Sequence, residues 1–178
     1  MTETLPGGVF AQLVVMAGLP GTGKSTLARA LAKELSAVVL DKDQARTALF
    51  TPDWIEYSRD QDDFVFDLVL KAADYFLRYR KTVFLDGRPF AYQSQVDEVK
   101  KFADLEKVDL KIILCDCPPE IVIQRLMNDA GHPAANRDEK LYLDLKAKFE
   151  PVRESYFTVN TSQPLPECVT KCLKYLKQ

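Results

Sequence analysis

The chain has 178 residues, 47% of them hydrophobic and 28% charged, which suits one domain over residues 1–178 with a flexible N-terminus at residues 1–8. Its formal net charge of −2 excludes an overall attraction to nucleic acid or an anionic membrane, so such a partner would need a local basic patch. No apolar run approaches the roughly 20 residues of a membrane-spanning helix, and residues 1–8 lack a signal-peptide pattern, which predicts a cytoplasmic protein with no membrane partner.

The first predicted strand and helix flank a glycine-rich loop. Residues 12–17 form an apolar run typical of a buried strand, and residues 25–35 have a strongly helical composition. The loop between them reads Gly18-Leu-Pro-Gly-Thr-Gly-Lys-Ser25. It fits G-x-x-x-x-G-K-[ST], the pattern of a loop that binds the phosphates of a nucleoside triphosphate.

The residue types of this loop suit phosphate binding. Glycines let the backbone curl so that several N–H groups face one phosphate. Lys24 can reach the outer phosphates, and the Ser25 hydroxyl can bind Mg²⁺ beside the positive end of the helix. The pattern predicts ATP and Mg²⁺ as cofactors, with an ordinary glycine-rich turn as the alternative interpretation. The expected nucleotide-binding residues are Gly18, Gly21, Thr22, Gly23, Lys24, Ser25 and Thr26.

The second predicted strand, residues 37–40, ends at two aspartates, and a short helix is predicted at 44–49. Asp43 and Arg46 are three residues apart at the helix start, which puts them on one side of the turn. Asp43 could orient an acceptor hydroxyl and take its proton, while Arg46 helps to bind the acceptor or the transferring phosphoryl group. The alternative is that Asp43 caps the helix and Arg46 lies in solvent. Asp41, a further candidate substrate ligand, is open to the same alternative.

The third predicted strand also ends in polar residues. A helical pattern over residues 63–80 precedes an apolar strand at 82–85. Asp86 follows this strand directly and is a candidate ligand for Mg²⁺ or its waters, with a turn-capping aspartate as the alternative. Arg88 could reach the acceptor or a phosphate, or could lie at the surface.

Three further helices are predicted at 94–104, 118–128 and 138–149, with strands at 110–115 and 157–160 and a last helix at 166–177.

A loop-like segment in this part of the chain predicts a small lid over about residues 125–140. Arg125 and Arg137 bracket it, and a closing lid could deliver arginines to the charge that develops during phosphoryl transfer. For Arg125 an intrahelical ion pair is the alternative. The single histidine, His132, fits a loop-shaping or substrate-contacting role better than that of a general base.

Five predicted strands alternating with helices specify an α/β fold. We expect a mainly parallel five-stranded sheet with helices on both faces. Ligands of such sheets bind beyond the carboxyl ends of the strands. The candidate residues Gly18, Asp41, Asp43, Asp86 and Arg88 all fall there.

The four cysteines predict buried, reduced thiols. Cys115 and Cys117 are two apart near a strand end, and Cys168 and Cys172 are four apart in a helical pattern. Such positions are common in protein cores. A metal site or a disulfide is the less favoured alternative.

These motifs resemble those of small P-loop kinases, a predicted-kinase group related to polynucleotide 5′-kinase, adenylylsulfate kinase and the zeta-toxin kinases. The resemblance rests on the run from Gly18 to Thr26, on Leu40-Asp-Lys-Asp-Gln-Ala-Arg46, on Phe84-Leu-Asp-Gly87, and on Arg125 with Arg137. It implies the three-layer P-loop nucleoside triphosphate hydrolase fold. It also implies Asp43 as general base with Arg46 beside it, and a lid arginine near the transferring phosphoryl group. It supplies no substrate.

The sequence leaves three functions open. The leading one is an ATP-dependent kinase that phosphorylates a hydroxyl of a small-molecule or nucleoside-like acceptor. The second is a polynucleotide 5′-hydroxyl kinase, although eight acidic residues against three basic ones between Asp41 and Asp67 disfavour a polyanionic strand. The third is an ATP-binding switch module without an acceptor.

Overall fold

A computed structural model describes residues 11–128 and 138–178. Its sheet has strand order β2-β3-β1-β4-β5, and each neighbouring pair of strands is parallel. The expected α/β fold with a five-stranded sheet is confirmed. The strands are β1 (Gln12–Ala17), β2 (Val38–Asp41), β3 (Val83–Asp86), β4 (Asp109–Asp116) and β5 (Phe157–Asn160).

Helices connect the strands, and none of those in the described ranges has the length and apolar character needed to cross a bilayer. They are α1 (Lys24–Leu35), α2 (Lys42–Leu49), α3 (Arg59–Arg78), α4 (Gln93–Glu106), α5 (Pro119–Asn128), α6 (Glu139–Lys148) and α7 (Leu165–Leu176). A short 3-10 helix at Pro52–Trp54 was not predicted.

The start of α3 differs most from the sequence-based expectation. The helix begins at Arg59, four residues before the predicted start. The prediction missed this first turn because the turn is polar and has no apolar period. The Ser58 hydroxyl accepts a hydrogen bond from the backbone N–H of Gln61, and Asp60 and Asp62 lie in the first turn. Such a cap and such acidic residues stabilise a helix start without burying apolar surface.

The central strand β1 is buried on both faces, and its side chains alternate between two cores. Leu13, Val15 and Ala17 pack on the side covered by α3 and α4, while Val14 and Met16 pack on the side covered by α1 and α7. Alternation with a period of two is the geometry of a strand, and it produces the three layers.

The expected buried thiols are found. All four cysteines are free and buried, and burial raises the pKa of Cys115 and of Cys172 to about 12. Within the described ranges, no group of three or more His, Cys, Asp or Glu side chains is placed to hold a metal ion.

The sheet order brings the polar strand ends together. β3 lies between β1 and β2, and Asp41 at the end of β2 is in register with Asp86 at the end of β3. The loops after these three strands therefore meet at one edge of the sheet.

Candidate active site

The loop between β1 and α1 curls back on itself. Gly18 has φ 132° and lies so close to β4 that a Cβ on it would be 2.4 Å from the carbonyl oxygen of Cys115. Gly23, at φ 81°, is the left-handed residue that precedes α1. The Lys24 ammonium donates to the carbonyl oxygens of Gly18 at 2.8 Å and Leu19 at 2.9 Å. The lysine therefore folds back over the loop that precedes it.

The start of α1 has the character of an anion site. No side chain caps this end, and its first turn contains no acidic residue. The buried Thr22 has its hydroxyl turned to the Leu19 carbonyl, to which it donates at 2.8 Å, so this side chain shapes the loop. Backbone N–H groups at an uncapped helix start can bind an anion.

Asp86 is the best candidate for a metal ligand. Its side chain is 1% exposed, and neither carboxylate oxygen has a hydrogen-bond partner among the described residues. An unpaired buried carboxylate is unfavourable, and a bound cation would compensate its charge. Asp86 and Ser25 line the same cleft. One carboxylate and one hydroxyl fit Mg²⁺, which keeps several waters and takes few protein ligands.

Asp41, not Asp43, caps the start of α2. Asp41 Oδ1 accepts hydrogen bonds from the backbone N–H groups of Asp43 at 2.9 Å and Gln44 at 3.3 Å. Asp43 and Arg46 are instead buried, and Arg46 Nη1 donates to Asp43 Oδ1 at 3.2 Å. The alternative in which Asp43 caps the helix and Arg46 is solvated is therefore wrong. The Asp41 carboxylate is engaged in the cap, and the residue does not line the cleft.

Burial sets the protonation behaviour of the residues beside Asp43. Burial raises the pKa of Asp43, against the opposing charges of Lys42 and Arg46. Burial also lowers the pKa of Lys42, although Asp62 and Asp43 oppose this. For Asp62, burial is the largest influence and raises the pKa, but Lys42 and Arg46 together outweigh it and lower the pKa. Asp62 is thus the ionised partner of both cations, and Asp43 is the more basic carboxylate.

Arg88 is not a surface residue. Its side chain is buried, and its guanidinium lies 4.4 Å from the centre of the Phe66 ring. Nη1 donates to Glu98 at 2.9 Å and Nη2 donates to Asp63 at 2.8 Å. The arginine thus joins α3 to α4 in the wall of the cleft.

Six charged residues that line this cleft were missed by sequence reasoning: Lys42, Arg59, Asp62, Asp63, Glu98 and Glu150. Their signal was weak, because charged residues in helices and in the loops beside them are usually solvated. The acidic character of residues 41–67 was visible in the sequence, but the spacing does not say which carboxylates turn inward.

Two clefts meet at the phosphate loop. The larger, of about 830 Å³, is lined by the strand-end residues, α3 and α4. The smaller, of about 690 Å³, lies between the loop, α5 and the start of α7. Lys24 and Ser25 line both. A molecule in each cleft would therefore face the same lysine and serine.

Arg125 belongs to the smaller cleft. Its Nη2 donates to the carbonyl oxygen of Thr161 at 2.8 Å and its Nη1 to the Thr161 hydroxyl at 3.1 Å. That hydroxyl in turn donates to the carbonyl oxygen of Thr22 at 2.7 Å. Arg125 does not line the larger cleft in which Asp43 lies, and it forms no intrahelical ion pair among the described residues. It ties α5 and the turn after β5 to the phosphate loop.

The central part of the expected lid, with Arg137 and His132, lies outside the described residues. Its last residues, 138–140, form the start of α6, where the Asp138 carboxylate caps the helix by accepting from the Leu141 N–H.

Comparison with known proteins identifies the fold. A family model described as an AAA domain matches residues 13–152. No curated protein sequence matches the chain. The APS kinase CysC of Mycobacterium tuberculosis, solved in complex with AMPPNP and APS, is 16% identical with a TM-score of 0.74, covering 95% of this chain and 99% of its own.

Two further solved structures are similar. A gluconokinase from Sinorhizobium meliloti is 20% identical with a TM-score of 0.67, covering 94% of this chain and 91% of its own. A sugar kinase from Janibacter sp. HTCC2649 is 18% identical with a TM-score of 0.66, covering 94% of this chain and 95% of its own. At these identities the likeness concerns the fold. It confirms the resemblance to P-loop kinases at that level.

Proposed function

The chain belongs to the AAA domain family, and from the geometry of its two clefts we propose that it is an ATP-dependent phosphotransferase acting on a hydroxyl group of a small molecule. The observation that carries the proposal is that Lys24 and Ser25 line both clefts, with Asp43 buried in the larger one. A phosphoryl group bound at Lys24 would lie between a nucleotide on one side and an acceptor on the other.

In this proposal the smaller cleft holds the nucleotide. The phosphates lie against the loop and the uncapped start of α1, whose N–H groups bind them. Arg125 and Thr161 stabilise the neighbouring wall through their hydrogen bonds to each other and to the loop. Mg²⁺ held by Ser25 and Asp86 would neutralise charge on the outer phosphates.

The larger cleft holds the acceptor. The hydroxyl oxygen of the acceptor forms a bond to the γ-phosphorus of ATP while the bond from that phosphorus to the β–γ bridging oxygen breaks. Asp43 accepts the hydroxyl proton, a role that its raised pKa favours because a more basic carboxylate is the better proton acceptor. Arg46 holds the Asp43 carboxylate in position through the 3.2 Å contact.

The two other functions receive less support. A polynucleotide strand needs a basic track, whereas the larger cleft is lined by Asp43, Asp62, Asp63, Glu98 and Glu150. An ATP-binding switch without an acceptor would need neither the larger cleft nor the buried carboxylate of Asp43 that lines it.

The test is transfer of label from γ-labelled ATP, with Mg²⁺, to pooled acceptors. The pools are sugars, nucleosides, hydroxylated antibiotics, adenylylsulfate and a 5′-hydroxyl oligonucleotide. Label on a small molecule supports the proposal and names the substrate class. Label on the oligonucleotide alone supports the polynucleotide kinase. Tight ATP binding with label only in free phosphate contradicts the proposal and favours the switch module.

A further inference from the structure

We propose that the acceptor is a hydroxyl compound without negative charge, such as a sugar, a nucleoside or an amino alcohol. This inference rests on the proposed phosphotransferase function and concerns the larger cleft. It follows from the pairing of the cations that line that cleft.

Every nitrogen of Arg46 is occupied or inaccessible. Nη1 donates to Asp43 at 3.2 Å, and Nη2 donates to Asp62. Nε is buried, with no accessible surface to offer a ligand. An anionic acceptor would meet no free edge of this guanidinium.

Arg88 is occupied in the same way. Nη1 and Nη2 donate to Glu98 and Asp63, and the buried Nε lies 3.7 Å from an oxygen of Asp62. The Phe66 ring covers one face of the guanidinium. Arginines bind carboxylates and phosphates through pairs of N–H groups, and here carboxylates of the chain already hold those pairs.

The other two cations of the acceptor side are also paired. Lys42 is buried, contacts Asp62 and lies 3.9 Å from Asp43. Arg59 lies 3.6 Å from Asp63, but its side chain is 89% exposed, so water screens its charge. Setting aside Lys24 and Asp86, which the proposed function assigns to the phosphates and to Mg²⁺, the described lining contains the cations Lys42, Arg46, Arg59 and Arg88. It contains the carboxylates Asp43, Asp62, Asp63, Glu98 and Glu150. The carboxylates exceed the cations by one.

This pairing selects against anions. To reach Lys42, Arg46 or Arg88, which are all buried, an anionic acceptor would have to displace a carboxylate that is partly buried and ion-paired, and it would face the uncompensated charge that remains. A hydroxyl or ammonium group instead donates to carboxylate oxygens, of which the cleft has many. Glu150 pairs with no cation in the described residues, and its Oε2 accepts only from the Gln93 N–H at 2.6 Å.

The test compares two pools of acceptors with γ-labelled ATP and Mg²⁺. One contains sugars, polyols, nucleosides and amino alcohols, and the other contains their anionic counterparts, namely sugar acids, hydroxy acids and nucleoside monophosphates. We expect kcat/KM for the uncharged or cationic member of a matched pair to be at least 10-fold above that of its anionic counterpart. A preferred anionic member overturns this inference and leaves the proposed function standing. Label only in free phosphate with both pools overturns the proposed function, and this inference with it.

A variant tests the physical cause. Asp63→Asn removes a carboxylate from Arg88 and from Arg59, and the apolar core keeps its packing because the Asp63 side chain is 48% exposed. We expect the discrimination against the anionic member to fall at least threefold. Asp74→Asn is the matched control, since Asp74 is also paired with an arginine on α3 but lies outside the cleft. An unchanged ratio in Asp63→Asn would show that the pairing of Arg88 and Arg59 with Asp63 does not set the preference.

Discussion

Arg46 Nη1 donates to Asp43 Oδ1 across 3.2 Å, and both residues are buried at the start of α2. Three residues of separation on a helix bring the two side chains together, and the cap supplied by Asp41 leaves Asp43 available for chemistry.

Asp43→Asn tests the general base. We expect phosphoryl transfer to fall at least about 100-fold with ATP affinity unchanged, because the amide cannot accept the hydroxyl proton. Label transfer and nucleotide titration measure the two quantities. Asp53→Asn, an exposed aspartate outside the cleft, is the control. Unchanged transfer in Asp43→Asn would remove Asp43 from the mechanism.

Asp62→Asn tests the electrostatic setting of Asp43. Burial raises the pKa of Asp43, and the charge of Asp62 adds to that rise. The substitution removes this negative charge, and Asp43 becomes the remaining carboxylate partner of Lys42 and Arg46. Losing the repulsion and gaining attraction both lower the pKa of Asp43. A base with a lower pKa stays deprotonated to lower pH.

The acidic limb of the kcat/KM profile should therefore move to lower pH in Asp62→Asn. In the unsubstituted protein its midpoint should lie above the ordinary aspartate value of 3.8. Asp60→Asn, an exposed neighbour in the first turn of α3, should leave the profile in place. A shift to higher pH would contradict this account of the coupling.

Asp86→Asn tests the metal site. We expect the Mg²⁺ concentration for half-maximal transfer to rise at least 10-fold, because the ion loses its one carboxylate ligand. ADP with Mg²⁺ should raise the Tm of the unsubstituted protein more than ADP alone does, because a ligand stabilises the form that binds it. In Asp86→Asn this extra increase in Tm should be smaller. Asp116→Asn, at the end of β4 and outside both clefts, is the control. An unchanged Mg²⁺ requirement would exclude Asp86 as a ligand.

Arg125→Ala separates nucleotide binding from catalysis. Because Arg125 ties α5 to Thr161 and the phosphate loop, we expect KM for ATP to rise about 10-fold and kcat to change less than about threefold. The opposite pattern, a fall in kcat at unchanged KM, would assign Arg125 to the transferring phosphoryl group. Arg78→Ala removes an exposed arginine from α3 and serves as the control.

Gly87→Ala tests how closely the ends of β2 and β3 approach. Gly87 has φ 80°, and a Cβ would lie 2.6 Å from Asp41 Oδ1 and 2.7 Å from the backbone nitrogen of Lys42. We expect the free energy of unfolding to fall by at least about 2 kcal/mol, since the left-handed conformation alone costs a side chain about 1–2 kcal/mol. Urea unfolding measures it. Gly23→Ala has a similar φ but no contact below 3.4 Å, so an equal loss in both would attribute the effect to strain alone.

The sequence by itself determined the fold and the phosphate loop. Helices were predicted from apolar residues three and four apart, and β1 from a continuous apolar run, which suits a strand whose side chains are divided between two cores. The loop from Gly18 to Ser25 could be predicted because its backbone geometry depends on residue types at fixed spacing.

Only the tertiary structure decided which charged side chains turn inward. Asp41 and Asp43 were equivalent candidates for the cap, and the contact with Asp62 from α3 helps to bury Arg46. Asp63 and Glu98 joined the site through Arg88, across 25 and 10 residues of sequence. Ion pairs between helices depend on how those helices pack, and no local pattern encodes that.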